Sequence, residues 1–219
     1  MRWFWRFDRA AESTLTCVAG SPEMRPILVG VAGGTASGKT TICRLAGAEL
    51  GATVLTHDQY YRDVPTPRNH DFDIPEALDT ALLLSHLGAL RAGEAIEAPV
   101  YDFRTHTRSA QIQRIEPGGI VIVEGILVLA DFMLREAFDF TVFVHADDDV
   151  RLGRRIRRDT AERGRTWDDV LRQWFQSVRP AHKRYVAPCR DLAHLVLDGE
   201  GALEGEVARL VAGVRGAAG

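Results

Sequence analysis

The sequence predicts an α/β protein: a five-stranded parallel sheet flanked by helices. Three observations lead there. Short apolar runs alternate with stretches of helical periodicity along most of the chain. Residues 27–32, 120–123 and 140–144 are almost continuously apolar, as strands buried on both faces are. Gly, Pro or Asp punctuates the joins between runs and periodic stretches.

Taken in order, residues 27–32 follow Pro26 and read as the first strand. Helical spacing over 40–50 stops at Gly51. Residues 53–56 are a second strand, closing at His57 and Asp58. The proline-punctuated stretch 58–73 reads as a loop. Pro75 opens a helix over 76–91 that ends at Gly93. Residues 99–103 and 111–115 are placed to pair as a small hairpin outside the main sheet. Strands follow at 120–124, 140–145 and 192–197. Helices are expected over 148–160, capped by Asp147 or Asp148, over 167–187 and over 203–214.

Composition bounds the function. The chain has 219 residues, enough for one domain with a real core, expected over 26–215. A formal net charge of −3 gives no global field toward nucleic acid or anionic membrane. No apolar run approaches the roughly 20 residues that span a bilayer. Cys17, Cys43 and Cys189 form no metal-binding pattern and read as idle thiols in a cytoplasmic protein. Residues 1–25 interleave Trp3, Phe4, Trp5 and Phe7 with Arg2, Arg6 and Arg9. Charge at Arg6 and Asp8 breaks any signal-peptide core, so this is a peripheral or disordered extension.

The strongest signal is Gly33-Gly34-Thr35-Ala36-Ser37-Gly38-Lys39-Thr40, a full G-x-x-x-x-G-K-[ST] motif between a strand and a helix. Glycines let the backbone turn its N–H groups inward onto phosphate oxygens, and the following helix adds its positive end. Lys39 reaches the β- and γ-phosphates, Thr40 is placed to ligate Mg²⁺, and Thr41 follows beside the nucleotide. ATP and Mg²⁺ are therefore expected, and an Arg-rich lid completes the picture. The guanine-reading Asn-Lys-x-Asp run and the Leu-Ser-Gly-Gly signature of transporter ATPases are both absent. A small-molecule kinase remains.

Such an enzyme needs a carboxylate at the acceptor and a charge clamp. Asp58 closes the second strand, where α/β sites lie; it is either the base or a turn cap. Glu124 closes an apolar strand, where a charge is expensive unless it holds a metal, a water or a partner. Arg151, Arg154, Arg155, Arg157 and Arg158 lead into Arg163-Gly164-Arg165. This is a lid over phosphates, or else a solvated basic face that binds RNA.

Together these motifs resemble the uridine/cytidine kinases, in the group that includes phosphoribulokinase and pantothenate kinase. The P-loop wording, His57-Asp58-Gln59-Tyr60-Tyr61, 72–79, 99–108, 124–127 and Arg154-Arg155 through Arg165 carry the resemblance. It implies a P-loop kinase that phosphorylates the 5′-hydroxyl of uridine or cytidine. A related kinase of a sugar phosphate or pantothenate, or a nucleotide-dependent RNA-binding protein, is the alternative.

By resemblance, Asp58 looks like the general base; at the metal it is expected beside Thr40 and Glu124. Asp73 and Arg155 clamp the ribose hydroxyls. Tyr61, Phe72, Tyr101 and Phe103 wall the base, and His106, Arg165 and Gln173 read it. Arg158 and Arg163 contact phosphate from the lid, and Lys39 and Arg158 act in catalysis. The resemblance also implies a homo-oligomer, dimer or tetramer, with a nucleoside rather than nucleic acid or membrane as partner. Three places depart from the family: a short segment between Tyr61 and Phe72, Ile74 where histidine is common, and altered wording over 188–192.

Overall fold

A computed structural model describes residues 25–64, 71–102 and 105–218. The expected N-terminal extension, Arg25 excepted, lies outside the described residues, as do Cys17, Phe103 and positions 65–70 of the short segment after Tyr61.

The main sheet is formed by β1 (Ile27–Gly33), β2 (Thr53–Thr56), β5 (Ile120–Glu124), β6 (Phe140–His145) and β7 (Leu195–Asp198), all parallel, in the order β2-β5-β1-β6-β7. β1 is central, with Val29 opposite Ile122 on one side and Phe140 on the other. Its side chains alternate between two apolar layers. Val29 and Val31 join Ile42, Cys43 and Ala46 of α1 (Lys39–Leu50) and Leu210 and Val214 of α7 (Leu203–Ala217). Leu28 and Ala32 face the other layer, with Leu83, Leu87 and Leu90 of α2 (Thr80–Arg91). Both faces being covered, the strands carry no polar stripe.

The hairpin is longer than expected: β3 (Ile96–Asp102) and β4 (Thr107–Ile115) pair antiparallel from Ile96–Ile115 to Asp102–Thr107. The register shifts between Pro99 and Tyr101, where proline has no N–H to give the ladder.

Other boundaries also need correction. The helix expected from Glu76 begins at Thr80. Residues Pro75–Ala77 make one tight turn, and Leu78 is extended and bridges to Tyr61. Asp79 caps α2 by accepting from the Leu82 N–H at 3.3 Å. The stretch after Asp58 is a turn of 3₁₀ helix, His57–Tyr60, rather than simple loop. A short helix not expected from the sequence, α3 (Phe132–Glu136), is capped by Asp131, which accepts from Leu134 N at 2.9 Å.

The helix expected over 167–187 is present but not regular. α5 (Trp167–Gln173) runs into a wide turn at Trp174–Val178, then α6 (Arg179–Ala181), a second wide turn at His182–Val186, and tight turns over Ala187–Leu192. Pro180 lies at the centre and cannot donate to the preceding turn, so the ladder widens around it. The final strand consequently starts three residues late, at Leu195.

Candidate active site

β1, β2 and β5 all end on one side of the sheet, and each delivers a polar group there. After β1 the chain curls through Gly33–Gly38 and enters α1 at Lys39. Ser37 N donates to Gly34 O at 3.1 Å, closing the turn. Gly38 has φ 99°, and Ala36 is held in the left-handed region at φ 61°. At Gly34 the need is space: a Cβ would land on the Arg151 guanidinium.

Arg151 itself is 1% exposed. It pairs with Asp148, donates Nε to Ala146 O at 3.1 Å, and lies over the Trp174 ring at 5.1 Å. A locked cation thus backs the P-loop: Arg151, expected in the Arg-rich lid, is instead buried behind the turn, held there by Asp148 and Trp174.

Lys39 is buried and its Nζ lies 3.6 Å from Glu124 Oε2, while Thr40 Oγ1 donates to Glu124 Oε1 at 3.0 Å. A charge at the close of β5 is thus met by the first two residues of α1. Thr41, the next residue, is exposed beside them. Ser37 Oγ is buried with no hydrogen-bond partner. Thr40 and Glu124 supply hard oxygen donors, the type Mg²⁺ takes, and the turn supplies an anion cradle, so the residues fit both expected groups.

Asp58 stands in the turn after β2, in the same cleft as Lys39, a space of about 790 Å³ that opens to solvent. Burial pushes its carboxyl above the usual range, Lys39 opposes this and Glu124 adds to it. A carboxylate and the Lys39 ammonium therefore line one open cleft.

Aromatic rings close the far end. Tyr61 meets Phe72 edge-on at 5.8 Å and Tyr101 at 5.5 Å. His106, at the hairpin turn with φ 57°, stacks on Phe72 at 4.7 Å and 24°. Asp73 lies beside them. Burial pushes its carboxyl up to about 6, with Arg155 opposing and Asp71 adding, and Ser177 Oγ donates to its Oδ2 at 3.4 Å.

The remaining wall comes from α4 (Asp148–Glu162) and the turn after it, Arg155, Arg158, Arg163 and Arg165, with Gln173 of α5. Gln173 Oε1 accepts from Arg155 Nη2 and Arg165 Nη1, both at 2.7 Å, which fixes its orientation. Arg155 Nη1 also donates to Thr35 Oγ1 at 3.1 Å. Arg155, Arg158 and Arg165 turn toward the cleft, while Arg154, Arg157 and Arg163 stay exposed, so only part of the run faces solvent as the RNA reading needed.

Nearly every side chain singled out from the sequence lines this cleft. Gly33, Gly34, Ala36, Ser37 and Gly38 form the turn beside it, from which Thr35, Lys39 and Thr40 reach the cleft; Thr41 lies outside it, and Glu124 sits just behind Thr40. Two contributors went unseen in the sequence: Ile126, which lines the cleft, and the buried Asp159. Only Asp159 left a hint, as an acid set inside an arginine run.

Comparison with known proteins adds a second line. Residues 28–202 match the model of the phosphoribulokinase/uridine kinase family. The chain is 44% identical to the uridine kinase of Deinococcus deserti over 201 residues, covering 88% of this chain and 97% of that protein. It is 40% identical to the uridine kinase of Chloroflexus aggregans over 205 residues, 88% of this chain and 98% of that one. Among solved structures, phosphoribulokinase from Rhodobacter spheroides superposes with TM-score 0.62 at 14% identity, covering 80% of this chain and 71% of that chain. D-glycerate 3-kinase from Cryptococcus neoformans gives TM-score 0.57 at 14% identity, covering 80% and 87%. These two share the fold.

Proposed function

The chain belongs to the phosphoribulokinase/uridine kinase family, and we propose that it transfers the γ-phosphoryl group of ATP to the 5′-hydroxyl of uridine, and of cytidine, giving UMP and CMP. The observation that carries this is the shared cleft: Asp58 opposes Lys39, and beyond Asp58 lie the Tyr61, Phe72 and Tyr101 rings with Asp73. A flat base on a ribose has the shape and polarity of that space.

In this reading the P-loop N–H groups and Lys39 hold the triphosphate. Thr40, Glu124 and Asp58 would hold Mg²⁺, which when bound offsets charge between the β- and γ-phosphates. Asp58 accepts the proton of the 5′-hydroxyl as that oxygen attacks the γ-phosphorus and the bond to the departing ADP oxygen breaks. Asp73 and Arg155 hold the 2′- and 3′-hydroxyls. Arg158 and Arg163 meet charge that develops on the transferred group, and with Arg165 exclude water.

An acceptor panel in a coupled ADP-release assay tests the reading. Uridine and cytidine should turn over, deoxyuridine poorly, and pantothenate and sugar phosphates not at all. Turnover confined to a sugar phosphate or pantothenate would replace the nucleoside by that acceptor.

A further inference from the structure

Asp159 lies in the last turns of α4 and its side chain is fully buried, at 0% exposure. Four guanidiniums surround its carboxylate. Arg158 Nε donates to Oδ1 at 2.8 Å and Arg163 Nη1 lies 3.6 Å from the same oxygen. Arg155 Nε and Arg165 Nη1 lie 3.6 and 3.5 Å from Oδ2. The Asp159 carbonyl oxygen also accepts from the N–H groups of Arg163 and Arg165, at 3.2 and 3.1 Å. One residue thus holds the turn through its backbone and the arginines through its side chain.

All four arginines line the cleft that contains Asp58 and Asp73. One anion among four cations leaves excess positive charge facing the space where a triphosphate would sit. Without that anion, the acids left for these guanidiniums inside the cleft are Asp58 and Asp73. Asp58 already feels Arg158 and Arg163, and Asp73 feels Arg155. A guanidinium drawn onto either would occupy a group that the acceptor needs.

We propose that Asp159 is a positioning residue, a buried anion that holds Arg155, Arg158, Arg163 and Arg165 at their places in the cleft wall, keeping Arg158 and Arg163 from pairing with Asp58 and Arg155 from closing fully onto Asp73. The inference rests on the reading of the chain as a nucleoside kinase. It assigns Asp159 no contact with substrate; its effect passes through the arginines. It differs from a purely structural role in what loss of the charge does. Asp159→Asn keeps the volume, the backbone carbonyl and an oxygen that accepts from Arg158 Nε; it removes the charge and turns the oxygen facing Arg155 and Arg165 into an N–H donor.

The test compares the full-length wild-type enzyme with Asp159→Asn. Kd for ATP·Mg²⁺ is measured by calorimetry and kcat with uridine at saturation. We expect kcat to fall roughly 10- to 100-fold, since the arginines lose their placement. ATP·Mg²⁺ should bind a few-fold more tightly, because the cluster gains net positive charge. A general loss of structure moves kcat down and affinity down together. A kcat within about twofold of wild type, or ATP·Mg²⁺ binding that fails to tighten, overturns the proposal.

Should the variant not fold, the wild-type protein still decides. In its ¹H–¹⁵N spectrum the Arg158 Nε–H should exchange with solvent roughly tenfold more slowly than that of exposed Arg44. Equal exchange rates overturn the proposal. Absence of any nucleoside turnover by wild type would instead remove the kinase reading, which the exchange measurement does not touch.

Discussion

The phosphate end of the cleft comes from one stretch of chain, residues 33–40, with Glu124 from the neighbouring strand β5. The acceptor end draws on the turn after β2, the segment before α2, the hairpin, α4 and α5. The first is set by backbone torsions and the second by side chains that meet only after folding. The Gly33–Gly38 turn therefore tolerates little change in shape. The acceptor end is held by charge, and its failures should appear in kinetics before they appear in stability.

The largest expected effect breaks the opposition of the two ends. Asp58→Asn should cut kcat roughly 10²- to 10⁴-fold while ATP binding stays within about twofold, read by calorimetry beside steady-state kinetics. An unchanged kcat would leave the P-loop end intact and take away the base at the other.

Asp73 sharpens the contrast through pH. Burial raises its carboxyl to about 6 from an ordinary value of 3.8, so the charged form is disfavoured in the folded state. Its protonation stabilises the fold, fully at pH below the ordinary value, and that contribution is lost as pH rises through about 6. Asp73→Asn should thus raise the melting temperature near pH 7 and remove this part of the pH dependence. The same variant should raise the KM of uridine roughly 10- to 100-fold and that of deoxyuridine less, because a ribose hydroxyl loses its charged acceptor. In wild type the uridine KM should climb as pH falls below about 6. A uridine KM flat with pH would remove Asp73 from the ribose.

Gly34→Ala probes shape alone. Its Cβ meets Arg151, which Asp148 and Trp174 hold in place. The expected cost is about 1–3 kcal/mol in thermal unfolding, with weaker ATP binding. Gly88→Ala in α2, where a Cβ meets open space, is the control and should be neutral or stabilising.

The smallest effect is at the base. His106→Asn tolerates the left-handed backbone at φ 57° but loses the ring stacked on Phe72. It should change the uridine-to-cytidine KM ratio only a few-fold, as competing-substrate kinetics would show.

The sheet, the P-loop and the identity of most cleft residues were legible because their signals are local. A continuous apolar run is a buried strand wherever it occurs, and Gly33–Thr40 encodes its own torsions. Asp58 and Glu124 were legible for a related reason: strands of an α/β sheet deliver their last residues to one edge. Boundaries failed where a partner distant in sequence decided them. Leu78 extends because Tyr61 pairs with it, and helix α2 therefore waits for Asp79.

By itself, then, the sequence determined the fold class, the phosphate cradle and the list of polar and aromatic residues around it. Only the tertiary structure decided which way the arginines face. On the helix they could as well have formed an exposed stripe. Arg155, Arg158, Arg163 and Arg165 gather at one buried carboxylate, Asp159, at 2.8–3.6 Å, while Arg154 and Arg157 stay exposed. Spacing fixes the face of a helix on which a charge lies, whereas the field that orients it comes from the groups packed around it.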